Sequence, residues 1–237
     1  MTHRFARRAL AATLCLASLP ACADAQDDAI RAQCPSAQAW MDRMAAAHAK
    51  KTPPPKGALD PAFRDELHAH HDTDVAARRA WIEAQGAKPQ TEHMLAIDRD
   101  NLAWMKRRFA KGFPSAAQVG RNGVEEAFLL VQHADGDHAF QSSMLEPIMA
   151  AAKRGELPQG DVAMLIDRVL RAEGKPQRYG TQYQSNTPGD LSAMKLQPTE
   201  DPAHLEARRA SMDLMPSDDY ACMLKVVYAG SSQAPAH

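Results

Sequence analysis

The sequence is short of several things. Aromatic residues make up 5% of the 237 positions, there are four cysteines, and 28 Lys+Arg stand against 29 Asp+Glu, a formal net charge of −1. Without a basic excess there is no global field to attract nucleic acid or an anionic membrane surface, so neither is expected as a partner. Outside the N-terminus no stretch is apolar enough to span a bilayer, which takes roughly 20 residues of helix. A glycine-rich phosphate loop, a serine nucleophile elbow, a zincin motif and a Cys-x-x-Cys pair are all missing. No named mechanism and no cofactor is therefore indicated. What is present is 45% hydrophobic content, enough for a real core in one sizeable domain. Disorder throughout and a collagen-like chain are excluded.

Residues 1–25 have the pattern of a secretory signal peptide. Arg4, Arg7 and Arg8 give a positive start, and Ala9 to Leu19 form an apolar run too short to span a membrane. Pro20 then breaks the segment, and Ala23-Asp24-Ala25 offers a small-x-small cleavage site, with Ala21-Cys22-Ala23 as another option. Leu19-Pro20-Ala21-Cys22 also has the form of a lipobox, in which Cys22 would be the lipidated first residue of the mature chain. Both readings place the protein in the periplasm or outer envelope. Cleavage removes three arginines and Asp24, leaving 25 basic against 28 acidic residues and a formal charge of −3. It also leaves Cys34 and Cys222 as a pair near opposite ends of the chain, and in an oxidising compartment such a pair is expected to form a disulfide.

Residues 26–57 read as an N-terminal helical segment, centred on Ser36 to Lys50, followed by a linker marked by three consecutive prolines at 53–55. Residues 58–228 read as a single helical domain, and 229–237 as a flexible tail. Within the domain, Asp60–Gln85 and Thr91–Lys111 have helical spacing, the second ending in basic residues before Gly112-Phe113-Pro114. Ser115 and Gln118 form a capping box. The run Ala127-Phe128-Leu129-Leu130-Val131 is apolar on every side of a helix, which points to a central buried one. Asp137 is an N-cap for a helix running to about Lys153, and Val162, Leu165, Ile166, Val169 and Leu170 mark the stripe of the next. Lys175–Thr199 changes character and suggests a loop with a two-stranded hairpin. Asp201–Ser211 and Ser217–Tyr228 return to helix. The fold class is mainly α, one helical domain with one irregular loop or short β-hairpin segment.

Three segments carry the polar residues of interest. His68-Ala69-His70-His71-Asp72-Thr73-Asp74 opens like the His-x-His-x-Asp of metallo-β-lactamase-like hydrolases, but Thr73 stands where a histidine would follow and no apolar strand precedes it. It reads as a solvated, histidine-rich helix face, and no metal site is assigned, because ligands must converge and not merely be close in sequence. Gln132-His133-Ala134-Asp135-Gly136-Asp137-His138 lies where the most apolar helix ends. There His133 has a pKa suited to acid–base work and a helix C-terminus to favour its protonated form. The alternative is that His133 closes one helix while Asp135 and Asp137 start the next. The third segment, Asp167-Arg168 with Gln177-Arg178-Tyr179-Gly180-Thr181-Gln182, offers donors and acceptors beside an apolar stripe, suited either to a ligand pocket or to a hydrogen-bonded loop.

Gly112-Phe113-Pro114, Val119-Gly120, the run LLVQHADGDHAFQ from Leu129, DRV from Asp167 and GKPQRYGTQ from Gly174 together resemble an uncharacterised bacterial domain family of unknown function. The likeness takes in Asp74 with Arg78, Asp98 with Asn101, Asp201-Pro202, Arg208-Arg209 and Tyr220, covering about residues 60–225. Phe113 departs from the tryptophan usual at that position in the family. The resemblance implies no reaction, cofactor or catalytic assignment. It does imply that the QHAD and YGTQ segments lie side by side.

Two functional readings follow, with a purely structural hydrogen-bond network as the third possibility. In the first, an exported binding or interaction domain holds a small ligand or an envelope protein through Gln132, Arg168, Tyr179, Thr181 and Gln182. In the second, an envelope hydrolase uses His133 as general base, with Asp135 or Asp167 orienting it and Arg168 and Gln182 holding an anionic or amide-bearing substrate.

Overall fold

A computed structural model describes residues 20–49, 59–84, 86–185 and 193–230. Most of the expected signal peptide, up to residue 19, the triple-proline segment and the expected tail from 231 lie outside the described residues.

Helices α1 (Pro20–Gln33) and α2 (Pro35–Ala49) each begin with a proline. Proline suits a helix start because its φ is already helical and the amide it lacks would have no partner there. Pro20, expected as a breaker, is the first described residue of α1. In the main body, α3 (Pro61–Glu83) is capped by Asp60, whose carboxylate accepts the Phe63 N–H at 3.0 Å. Helix α4 (Lys88–Arg108) starts three residues before the expected Thr91, with Pro89 in its first turn, and ends in Lys106, Arg107 and Arg108. Helix α5 (Ala116–Gln132) opens with Gln118 accepting the Ser115 N–H at 3.1 Å and kinks at Gly120, whose φ of 77° only glycine adopts without strain. Helix α6 (His138–Lys153) is capped by Asp137, which accepts the Phe140 N–H at 3.0 Å, and α7 (Gln159–Ala172) follows.

The irregular segment contains the expected hairpin. Strands β1 (Tyr183–Ser185) and β2 (Met194–Leu196) pair antiparallel, Tyr183 opposite Leu196. A 3-10 turn (Pro202–His204), α8 (Leu205–Ser211) and α9 (Ser217–Gly230) complete the chain. The described residues are thus mainly α. Among them no helix is long and apolar enough to cross a membrane.

Two apolar clusters hold these elements. In the larger, α3 packs on α4 and α5, and α6 on α7, around Leu67, Met105, Phe128, Leu130, Ile148 and Leu165. The five residues Ala127 to Val131 are all buried, as expected of a central helix. Each such Leu, Ile or Phe contributes roughly 1.5–3 kcal/mol by leaving water. In the smaller cluster, α1 and α2 pack against α9 through Ile30, Ala37, Tyr220, Leu224 and Tyr228. A disulfide joins Cys34 to Cys222 with their Cα atoms 5.9 Å apart. The N-terminal helices are therefore fastened to the last helix.

Candidate functional site

The third turn of α5's apolar run ends at His133, and the residue stays almost wholly buried, 7% exposed. Its Nδ1 lies 2.7 Å from Oδ2 of Asp74 on α3, a carboxylate with no exposed surface. Helix spacing places Arg78 one turn further along α3, where it reaches Asp74 at 2.7 Å with one nitrogen and Asp98 of α4 at 2.8 Å with another. One turn after Asp98, Asn101 is buried and its Oδ1 meets Nδ1 of His70 at 2.7 Å, while the His70 ring stacks on Trp104 at 4.3 Å. Three helices thus converge on one polar group built from Asp74, Arg78, Asp98, Asn101 and His133.

Its electrostatics follow from burial and pairing. Burial, reinforced by the Arg78 guanidinium, lowers the pKa of His133 against the pull of Asp74, so the ring is neutral near pH 7. The expectation that a helix end would favour the imidazolium is corrected on this point. Burial opposes ionisation of Asp74, but the hydrogen bond from His133 and the charge of Arg78 hold its carboxyl below the usual range. At Asp98 burial outweighs Arg78 and the pKa rises. A neutral His133 facing an ionised Asp74 donates its Nδ1–H, which puts the lone pair on Nε2. No hydrogen-bond partner for Nε2 is found among the described residues.

Several buried polar atoms here lack partners: Nε of Arg78, Nδ2 of Asn101, and both amide atoms of Gln132, a residue with no exposed surface. Such atoms are uncommon in folded proteins and call for a water or a ligand.

The QHAD and YGTQ segments do lie side by side, joined through α7. Nη1 of Arg168 donates to both carboxylate oxygens of Asp135 at 2.8 Å, and Gln141 adds a bond to Asp135 at 3.2 Å. Burial opposes the charge on Asp135, but Arg168 and Gln141 bring its pKa below normal. The charge of Arg168 is thereby balanced by Asp135. Asp167 accepts the backbone N–H groups of Arg178, Tyr179 and Thr181 and the Thr181 hydroxyl at 2.6–3.1 Å. Gln182 is buried too, donating to the Thr181 hydroxyl oxygen at 3.0 Å and receiving support from Gln177, whose Oε1 accepts the Gln182 N–H at 2.8 Å. Arg209 closes the other side of the loop, donating to the Tyr179 and Gly180 carbonyls at 2.8 and 2.9 Å. Asp167, Thr181 and Gln182 therefore build a loop, and Tyr179 contributes its backbone.

Of the sequence-derived candidates, His133 and Gln132 belong to the α3–α4–α5 group, while Asp135, Asp167, Arg168, Tyr179, Thr181 and Gln182 belong to the scaffold beside it. The carboxylate that orients His133 is Asp74 and neither Asp135 nor Asp167. Arg78, Asp98 and Asn101 had entered only through the family resemblance, and Asp74 also as the end of the histidine run, none of them with a role. Their signal is the spacing 74, 78 on one helix and 98, 101 on the next, which puts each pair on one face. The His68–Asp74 segment is solvated only in part: His68 and Asp72 are exposed, His71 and Asp74 are buried. Side-chain ligand atoms of His68, His71 and Asp72 all lie within 4.8 Å of one another.

No curated protein and no solved structure matches this chain. A family model, by contrast, matches residues 61–232, from the start of α3 to beyond the end of α9. On that match, the chain belongs to the family of unknown function DUF6624.

Proposed function

We propose that this protein is an exported domain that binds a small polar ligand where α3, α4 and the end of α5 meet. The observation carrying this reading is the set of buried polar atoms without a partner among the described residues, on Arg78, on Asn101 one turn from Asp98, and on Gln132 next to His133 in the chain. Two carboxyls, Asp74 and Asp98, face one guanidinium there, and His133 is neutral. The ligand that suits this balance is neutral or cationic, with a donor for His133 Nε2 and an acceptor for the Asn101 amide. Anions are disfavoured. Export to the periplasm or outer envelope, with Cys22 as a lipid anchor, is supported by the N-terminal sequence and by the Cys34–Cys222 bridge, which belongs to an oxidising compartment. The mass of the mature N-terminus checks the address and the anchor together.

Thermal shift against amino-acid amides and polyamines, run beside dicarboxylates, tests the binding reading. The first two classes should raise the melting temperature, and Asn101→Ala and His133→Ala should abolish the rise. No shift with any of them, or a shift that both variants retain, overturns it.

The dyad geometry favours a second reading, hydrolysis with His133 as general base. An imidazole whose Nδ1–H is held by a buried carboxylate presents its Nε2 lone pair to a water or hydroxyl. Asp74 would then orient the base. Turnover of an amide or ester substrate that His133→Ala abolishes, with folding intact, would establish this reading over simple binding.

A further inference from the structure

On α3, N-terminal to Asp74 and Arg78, lies a cluster whose residues make none of the hydrogen bonds of the His133 group. His68, His71 and Asp72 are related by three and four residues along the helix, so one face carries all three. Nε2 of His68 lies 3.4 Å from one carboxylate oxygen of Asp72, and Nδ1 of His71 lies 3.5 Å from the other. Two ligand atoms bound at about 2.0–2.1 Å to a tetrahedral ion stand about 3.4 Å apart, so both separations match edges of such a tetrahedron. The helix thereby supplies the convergence for want of which the sequence reading assigned no metal site.

A second observation sits behind the first. Glu126, on α5, lies with Oε1 3.0 Å from Nδ1 of His68. A carboxylate on the far nitrogen of a histidine fixes its tautomer, turns the other nitrogen into the ligand atom and raises its basicity, which is the usual outer shell of a metal-bound imidazole. His71 is buried, so its ring is held by packing, whereas His68 and Asp72 are 60% and 63% exposed and leave a way in for an ion. His68 and Glu126 also line a cavity of about 420 Å³, together with Arg64, Gly120 and Arg121. Two imidazoles and one carboxylate are the donor set of an open site, in which the remaining position takes water or a substrate atom.

We propose that His68, His71 and Asp72 bind a divalent transition-metal ion, zinc by fit, with Glu126 as the carboxylate that orients His68 and with the remaining coordination position open to solvent. The site shares no residue with the ligand reading at His133, though the His71 ring lies near enough to Asp74 to favour its charge, and either reading can fail without the other.

The test is titration of the mature, untagged protein with Zn²⁺ by calorimetry, and with Co²⁺ followed by its visible absorption. One ion per chain is expected, with the strong Co²⁺ bands of a four- or five-coordinate site. His68→Ala and Asp72→Asn alter exposed side chains, so both variants should fold, and each should weaken binding more than tenfold. Glu126→Gln should weaken it by about tenfold while leaving the stoichiometry at one. His93→Ala, an exposed histidine on α4, should change nothing. Absence of binding, or binding that survives both His68→Ala and Asp72→Asn, overturns the proposal and leaves the cluster as a surface ion pair.

Discussion

His133 donates its Nδ1–H to Asp74 across 59 residues of sequence, at 2.7 Å and out of reach of bulk water. The pair fixes both the rotation of the ring and the position of its lone pair. At pH 7 the long-range ¹H–¹⁵N spectrum of the protein should show His133 as a neutral ring with Nδ1 protonated and Nε2 bare. Observation of the Nε2–H form would remove the base from the hydrolytic reading. Because His133→Ala leaves a buried carboxylate short of one partner, it should also destabilise the fold by roughly 2–4 kcal/mol, read from urea unfolding.

Asp167 has a different expected signature. It accepts three backbone N–H groups and one hydroxyl from a loop with no other means of pairing them. Burial nevertheless leaves its pKa above the ordinary value, a sign of how far it is removed from water. Asp167→Ala orphans all four donors and should cost at least about 3 kcal/mol, more than most single substitutions. Gln182→Ala removes a smaller part of the same loop and should cost about 1 kcal/mol. If both variants unfold at the wild-type urea concentration, the loop is not structural and its polar groups return as ligand contacts.

The local rules served well where one helix decides the outcome. The Asp60 and Asp137 caps, the capping box at Ser115 and the burial of Ala127–Val131 all follow from residues within a turn of each other. They served poorly where two elements meet. Nothing in the neighbourhood of Asp135 says that it pairs with Arg168, 33 residues away, so the two entered as separate candidates, one catalytic and one ligand-binding. Asp74 looked like the end of a histidine run because its partner His133 becomes visible only when α3 lies on α5. Helix α1 escaped for a further reason. Its first residues were read as the end of a signal peptide, and its packing partner α9 and the disulfide lie at the other end of the chain.

That bond makes its own prediction. The Cys34–Cys222 bridge closes a loop of 188 residues, for which the chain-entropy account gives at most about 5 kcal/mol. Denatured, unreduced mature protein should therefore show neither of these thiols in a titration. Cys34→Ser with Cys222→Ser should lower the melting temperature and, because α1 and α2 lie against α9 in a cluster of their own, speed amide exchange in those three helices before the rest. Uniform loss of protection across α3 to α7 would contradict the independence of the two clusters.

The pH dependence of stability should carry the mark of Asp161. This carboxyl, in the first turn of α7, is pushed up to about 7 by burial and by the nearby charge of Glu125. An acid whose pKa is raised on folding binds more protons in the native state between its two pKa values. It therefore favours folding at low pH and loses that contribution as the pH climbs from about 4 to about 7, with no further change above. Its full size is at most about 4 kcal/mol. Asp161→Asn cannot ionise, so the variant should gain on the wild type steadily between pH 4 and 7 and hold a constant advantage beyond. His133, with its pKa lowered by burial, works in the opposite direction over part of this range, but it is present in both proteins and cancels in the difference. Urea unfolding of the two proteins at pH 4.5, 6 and 7.5 decides the matter, and parallel stability curves would show that Asp161 ionises normally in the folded chain.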